Sequence, residues 1–307
     1  MSVGPERGYS RPMQLLTELP AATAEAVLKA WHINIAGDDA ALRLSGGQEA
    51  AAFRVGSNVI RIGATWRRDD DLTWCGAVAR AAANAVPEAI GPIPTVDGRT
   101  VIRIGDRPVT VWPFVDGLPG DDTDEKQRLA AADLLARVHA ALSTARPAPA
   151  PPRHTPTAPV PELSDPALDG WLAGFGAGTQ QLVHGDFYAD NVLVDRRGRI
   201  IGLIDWDEAS IASAEWELAG AAWEWGLGRD TLDLTAAERF VEHYLAAGGT
   251  AGRLDEIALR QLIRQRIRAE VAYDRATAST RLIDAEDIEY QARQLEAFRA
   301  LRPAHGG

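Results

Sequence analysis

A single cysteine, Cys75, is all that the 307-residue chain contains, which excludes an internal disulfide framework and any thiolate-rich metal site. Positive charge is short as well, with 32 Lys and Arg against 43 Asp and Glu and a formal net charge of -11. A general nucleic-acid binder needs a basic footprint to neutralise phosphates, so nucleic acid is not an expected partner. A cationic small molecule is compatible with that balance, as is solubility alone. Long apolar runs are missing too, at the N-terminus and beyond it. Neither a signal peptide nor a membrane span is therefore expected, and the cytoplasm is the expected compartment.

What remains is an ordinary globular composition, 46% apolar and 24% charged, at a length that suits one large domain or two of moderate size. Short strands are predicted over Ala41–Leu44, Ala51–Val55 and Asn58–Ile62, because turn residues (Ser45-Gly46-Gly47 and Gly56-Ser57) separate them. An alanine-rich helix over Asp69–Val86 follows, then strands Thr100–Ile104 and Val109–Val115 joined by Gly105-Asp106. Beyond Asp116-Gly117 the pattern turns helical. Asp122 with Glu125 reads as a capping box for a helix carrying Ala131, Leu135, Val138 and Leu142, with His139 as a packing residue on it. Proline dominates Pro147–Pro166, which reads as a connecting loop. A hairpin is expected at Val192–Val194 and Ile200–Ile204 around Arg197-Gly198. From Ala214 helices resume, one of them with Leu259, Ile263, Ile267 and Val271 on one face and Arg260, Arg264 and Arg268 on another.

The chemistry concentrates between Val183 and Asp207. His184-Gly185-Asp186 leads to Asn191, the hairpin follows, and Ile204-Asp205-Trp206-Asp207 comes after it. Two carboxylates and an amide are thus presented from loop ends beside short strands. Phosphoryl transfer asks a protein for little covalent help; it needs the acceptor oxygen in line and the charge of the triphosphate held. Asp186 can accept or orient the proton of an acceptor hydroxyl, Asn191 can offer an amide oxygen to Mg²⁺, and Asp205 a hard anionic one.

These motifs resemble the aminoglycoside phosphotransferase and choline kinase superfamily, whose fold is like that of protein kinases. The resemblance implies an α+β, two-lobe protein-kinase-like fold, with a small β-rich N-terminal lobe over 1–115 and a larger helical C-terminal lobe over 116–307. It makes Asp186 the catalytic carboxylate, Asn191 and Asp205 the Mg²⁺ ligands, and His184 a brace for the loop. Ser45, Gly46 and Gly47 fall where the family's nucleotide loop joins the first strands, and Arg61 where its third strand carries a basic residue for the phosphates. Val111-Trp112-Pro113-Phe114-Val115-Asp116-Gly117 is similar to its hinge, which places Trp112 and Phe114 beside the nucleotide base. Leu134–His139 resembles its first large-lobe helix. Asp207, Glu208, Glu270 and Asp274 are candidates for drawing in an amino-sugar; the cluster of Trp216, Trp223 and Trp225 with Glu215, Glu217 and Glu224 could line an acceptor pocket, but helix packing is the favoured reading.

Three positions depart from the family pattern. Tyr188 stands where protein kinases have a lysine and many antibiotic kinases a histidine, so a cation for the γ-phosphate is missing there and another group must neutralise that charge. Leu72–Asn84 holds no acid to pair with Arg61, although Asp69, Asp70 and Asp71 precede it. Glu217-Leu218-Ala219 stands where Asp-Leu-Ala is usual. The expected activity is transfer of the γ-phosphoryl group of ATP or GTP to a hydroxyl of an aminoglycoside-like or other antibiotic. The alternatives are a kinase of a metabolite alcohol (homoserine, choline or an amino-sugar), a nucleotide-binding pseudokinase, and a metal-dependent hydrolase.

Overall fold

The computed structural model describes residues 16–33, 41–44, 50–153, 155–227, 232–278 and 285–303. The nucleotide-loop residues Ser45, Gly46 and Gly47 lie outside them.

Alternation along three strands builds the small lobe. In β1 (Leu42–Arg43), β2 (Ala50–Val55), β3 (Asn58–Gly63), β4 (Ile102–Ile104) and β5 (Arg107–Pro113), all pairs are antiparallel and the sheet order is β1-β2-β3-β5-β4. Phe53 and Val55 of β2, Ile60 and Ile62 of β3, and Val109 and Val111 of β5 share one face, since side chains alternate at a period of two. They bury against Val27 and Trp31 of α1 (Ala21–Trp31), a helix the sequence reading did not foresee. Each such side chain contributes about 1.5–3 kcal/mol when fully buried. The same parity sends Arg61, between Ile60 and Ile62, to the opposite face, together with its register partner Thr110 and with Trp112.

The helix α2 (Asp69–Ala83) packs on α3 (Glu125–Thr144) and joins the small lobe to the main core. The cap of α3 is Asp124, not Asp122: its carboxylate accepts from the amides of Lys126 and Gln127. The proline-rich stretch ends in a 3-10 turn at Pro161–Leu163 and in α4 (Pro166–Phe175), capped by Asp165. Helices α5 (Ala214–Gly226), α6 (Leu234–Ala246), α7 (Glu256–Thr277) and α8 (Ala285–Ala300) complete the large lobe around Trp206, Trp223, Trp225, Phe240 and Tyr244. Arg264 does not share the outer face expected of it. It is 1% exposed, and its guanidinium bonds Asp165 at 2.5 Å and the Phe298 carbonyl at 2.9 Å.

Two small sheets position the chemistry. Strand β7 (Gln180–Val183) pairs with β10 (Ser210–Ser213), while β6 (Leu118–Pro119), β8 (Val192–Val194) and β9 (Ile200–Leu203) form the other sheet. The chain crosses from the first sheet to the second through residues 184–191, turns in the expected hairpin, and crosses back through 204–209. Two loops so anchored must run side by side.

Candidate active site

Loop 184–191 is held by contacts that leave one carboxylate facing outward. Gly185 has φ 87°, and a Cβ there would lie 2.1 Å from the carbonyl oxygen of Glu208 on the neighbouring loop, so the approach admits glycine alone. The amides of His184 and Gly185 donate to the Glu217 carboxylate of α5, the former at 3.2 Å. Glu217 also takes Nε2 of His139 at 2.6 Å, and Nδ1 of His139 meets the Tyr244 hydroxyl at 2.7 Å. Burial alone would raise the Glu217 carboxyl, but the hydrogen bond and charge of His139 hold it below the usual range. It is therefore an ionised anchor, charge-assisted and short.

His184 is fully buried and joins the two loops. Its Nδ1 accepts from the Asp186 amide at 3.2 Å and its Nε2 donates to the Ile204 carbonyl at 3.0 Å. Burial lowers its pKa, which suits this neutral, bridging tautomer. Asn191 donates from Nδ2 to the Asp186 carbonyl at 2.9 Å and to its Oδ2 at 3.0 Å, which turns the amide oxygen away from Asp186. Burial, with the nearby charges of Asp205 and Glu270, raises the Asp186 carboxyl to about 6 against the pull of Arg266.

On the returning loop Asp205 adopts φ 59°, the left-handed region that Asp tolerates better than most residues. Its Oδ1 is 3.0 Å from Nη2 of Arg61, which also meets Oδ2 of Asp207 at 3.0 Å. Burial would raise the Asp205 carboxyl; the Arg61 charge outweighs it and holds it low. The partner of Arg61 is thus the loop itself. The acids of the first turn of α2 are engaged elsewhere, Asp69 with Arg103, Asp70 with Arg68 and Asp71 with Arg153.

The structure separates the four acids considered for an acceptor. Asp207 lies against Arg61, and Glu208 pairs with Arg67 at 2.7 Å, both on the small-lobe side. Glu270 lies beside Asp186, bonded by Gln294 at 2.7 Å, and Asp274 is one turn further along α7. Trp112 is 8% exposed with its indole N–H on Thr110 at 2.8 Å, and Phe114 carries the Arg54 guanidinium 3.8 Å above its ring.

A recess opens on the far side of Asp186, lined by Tyr188, Trp216, Gly220, Glu224 and Arg266. Sequence reading missed Arg266, and placed Glu224 in a cluster for which it favoured helix packing over an acceptor pocket. Glu217, Gly220 and Glu224 recur at i, i+3 and i+7 and so share one face of α5, a signal available in the sequence. Burial and the Glu270 charge push Glu224 up to about 8, and the Tyr290 hydroxyl bonds it at 3.1 Å. Tyr188 is partly buried among Asp186, Asp190, Asp205 and Glu224, which raises its pKa and keeps the phenol neutral.

Among the described residues no three His, Cys, Asp or Glu side chains cluster as a metal cage. Asn191 and Asp205 nevertheless suit Mg²⁺, which binds through one or two protein oxygens and keeps water and phosphate as its other ligands. No helix among the described residues is long and apolar enough to cross a membrane.

Residues 162–259 match the model of the phosphotransferase enzyme family. A protein of Bacillus subtilis (strain 168), the uncharacterized YcbJ, is 33% identical over 81 residues, and the match spans 26% of this chain and 23% of that protein's length. Among solved structures, an amicoumacin kinase in complex with AMP-PNP, Ca²⁺ and its ligand superposes with TM-score 0.67 at 14% identity, covering 91% of this chain and 92% of that one. A microcompartment-associated aminopropanol kinase gives 0.64 at 14% over 92% and 95%. A choline/ethanolamine kinase family protein from Mesorhizobium loti gives 0.59 at 17% over 92% and 96%. The family match contains both loops and the Glu217 anchor, and the likeness of fold extends over the small lobe as well. Residues 162–259 thus resemble the phosphotransferase enzyme family, and the chain shares its α+β protein-kinase-like fold with these solved kinases.

Proposed function

We propose that the protein transfers the γ-phosphoryl group of ATP or GTP to a hydroxyl of an amine-bearing small molecule in the cytoplasm, an aminoglycoside-like or other antibiotic before a simple amino alcohol. The observation that carries this reading is the division of charge about Asp186. On one side Arg61 stands with Asp205 and Asp207; on the other Glu224 and Glu270 flank a recess edged by the half-exposed ring of Trp216. An ammonium entering that recess would draw the Glu224 carboxyl, whose pKa of about 8 keeps it largely protonated at neutral pH, into its ionised form beside the Glu270–Arg266 pair, and a sugar-like ring can lie on the indole. The amicoumacin, spectinomycin and hygromycin B complexes among similar folds favour an antibiotic, whereas the aminopropanol and choline/ethanolamine kinases favour the smaller acceptor.

In this reading 1–115 forms the nucleotide lobe and 116–307 the acceptor lobe. Arg61 leaves Asp205 for the α- and β-phosphates. Asn191 and Asp205 are the residues that would hold Mg²⁺, which when bound supplies positive charge to the phosphate oxygens. The acceptor oxygen attacks Pγ in line, the bond from Pγ to the β,γ-bridging oxygen breaks, and ADP leaves with that electron pair. The hydroxyl proton passes to the Asp186 carboxylate. Asn191 keeps that carboxylate aimed, and Glu217 keeps the loop in place.

A panel of amine-bearing alcohols, antibiotics and metabolites together, is to be screened with ATP and GTP for a mass gain of one phosphoryl group. Wild type should phosphorylate at least one of them, and Asp186→Ala should lose the transfer while still binding nucleotide. Full turnover in Asp186→Ala would refute the mechanism.

A further inference from the structure

We propose that Arg266 supplies the positive charge on the γ-phosphoryl group that the catalytic loop itself lacks, reaching it from α7; this rests on the phosphotransfer reading and assigns a residue within it. The loop position two residues after Asp186 is Tyr188, a neutral phenol set among carboxylates. On the nucleotide side Arg61 is bound to Asp205 and Asp207. Among the described residues lining the recess at Asp186, Arg266 is the one cation.

Its setting is that of an arm rather than a strut. The Arg266 stem lies across Gly220 in ordinary van der Waals range: a Cβ there would sit 3.6 Å from Cδ and 3.8 Å from Nε. Nε faces Glu270 one turn along α7, which fixes the near end of the guanidinium. The far end is open: the side chain is 34% exposed, and its Nη atoms make no hydrogen bond among the described residues. Nη2 stands 3.9 Å from Oδ1 of Asp186, too far for a hydrogen bond.

That separation fits a phosphoryl group. An acceptor oxygen hydrogen-bonded to Asp186 places Pγ about 3–3.5 Å beyond it in a near-attack arrangement. A guanidinium on the same carboxylate then faces the equatorial oxygens of Pγ, where the charge of a loose transition state collects and where a planar fork matches two oxygens at once. Arginines acting on that charge contribute roughly 10³–10⁵ in rate.

The test compares binding of ADP with binding of ADP plus aluminium fluoride, both with Mg²⁺, by wild type, Arg266→Met and Arg266→Lys. Wild type should prefer the fluoride complex. Arg266→Met should lose at least ~30-fold of that preference while its affinity for ADP stays within about twofold, and Arg266→Lys should keep most of it. An unchanged preference in Arg266→Met, or an equal loss for both ligands, overturns the inference, since an arginine that only braced the fold could not act on one ligand alone. A wild type that binds neither ligand overturns the phosphotransfer reading, and this assignment with it. A wild type that binds both, paired with a methionine variant that keeps the preference, overturns the assignment alone.

Discussion

At the residue scale, Asp186 is a carboxylate that burial and like charges have raised to about 6. As the proposed base it must be ionised, so on that reading the active form prevails above that value and is protonated as pH falls through it. The acidic limb of kcat/KM should fall about tenfold per pH unit below ~6 and be missing from any residual activity of Asp186→Asn. A profile flat to pH 5 would contradict the assignment. The residues of this centre were legible where chemistry is local in sequence: His184, Asp186, Asn191 and Asp205 lie within one hairpin and its flanks. The partners that tune them come from far along the chain. Arg61 meets Asp205 across 144 positions and Glu217 reaches the catalytic loop across 33, so spacing carried no trace of either pairing.

At the scale of elements, the hairpin and the small-lobe strands followed from turn residues and alternation; α2 begins at Asp69 as expected and stops at Ala83, three residues short of the expected Val86. The short strands β6, β7 and β10 did not, because their pairing is tertiary. One miss had a local signal: Asp165-Pro166 is a cap followed by proline at the first helical position, the usual opening of a helix, and it lay hidden in a stretch read as loop. Asp165 does more than cap α4. It is 2% exposed and takes Arg264 at 2.5 Å and Arg302 at 2.6 Å, tying α4, α7 and the residues after α8 together. The hydrogen bond from Arg264 holds its carboxyl well below the ordinary range against burial. Its stabilisation is therefore present above about pH 4 and is lost as pH falls below it. Asp165→Ala leaves a buried guanidinium unpaired and should cost about 3–5 kcal/mol in urea unfolding. A loss under 1 kcal/mol would show that Arg264 finds another partner.

At the scale of the whole molecule, the two lobes meet through charge as well as through the apolar packing of α2 on α3. Arg61 with Asp205 and Asp207, and Arg67 with Glu208, run from the sheet of one lobe to the loop of the other. On the proposed reading a triphosphate enters where the first of these pairs lies, exchanging one anionic partner of Arg61 for another. Arg61→Met should weaken nucleotide binding roughly ten- to a hundredfold, the range of one charged hydrogen bond at ~1.5–3 kcal/mol. Titration with a fluorescent nucleotide measures it, and an unchanged dissociation constant would place the phosphates elsewhere.

The stripe of Glu217, Gly220 and Glu224 along α5 sets a constraint on how such a molecule can change. One helix face pins the catalytic loop, lies against an arginine stem and floors the recess. A rotation of that face that admitted a bulkier guest would drag loop 184–191 and the Asp186 carboxylate, the proposed base, out of line at the same time. New guests are more cheaply accommodated by recutting the rim, at Trp216 or along α7 and α8, while the stripe stays as it is.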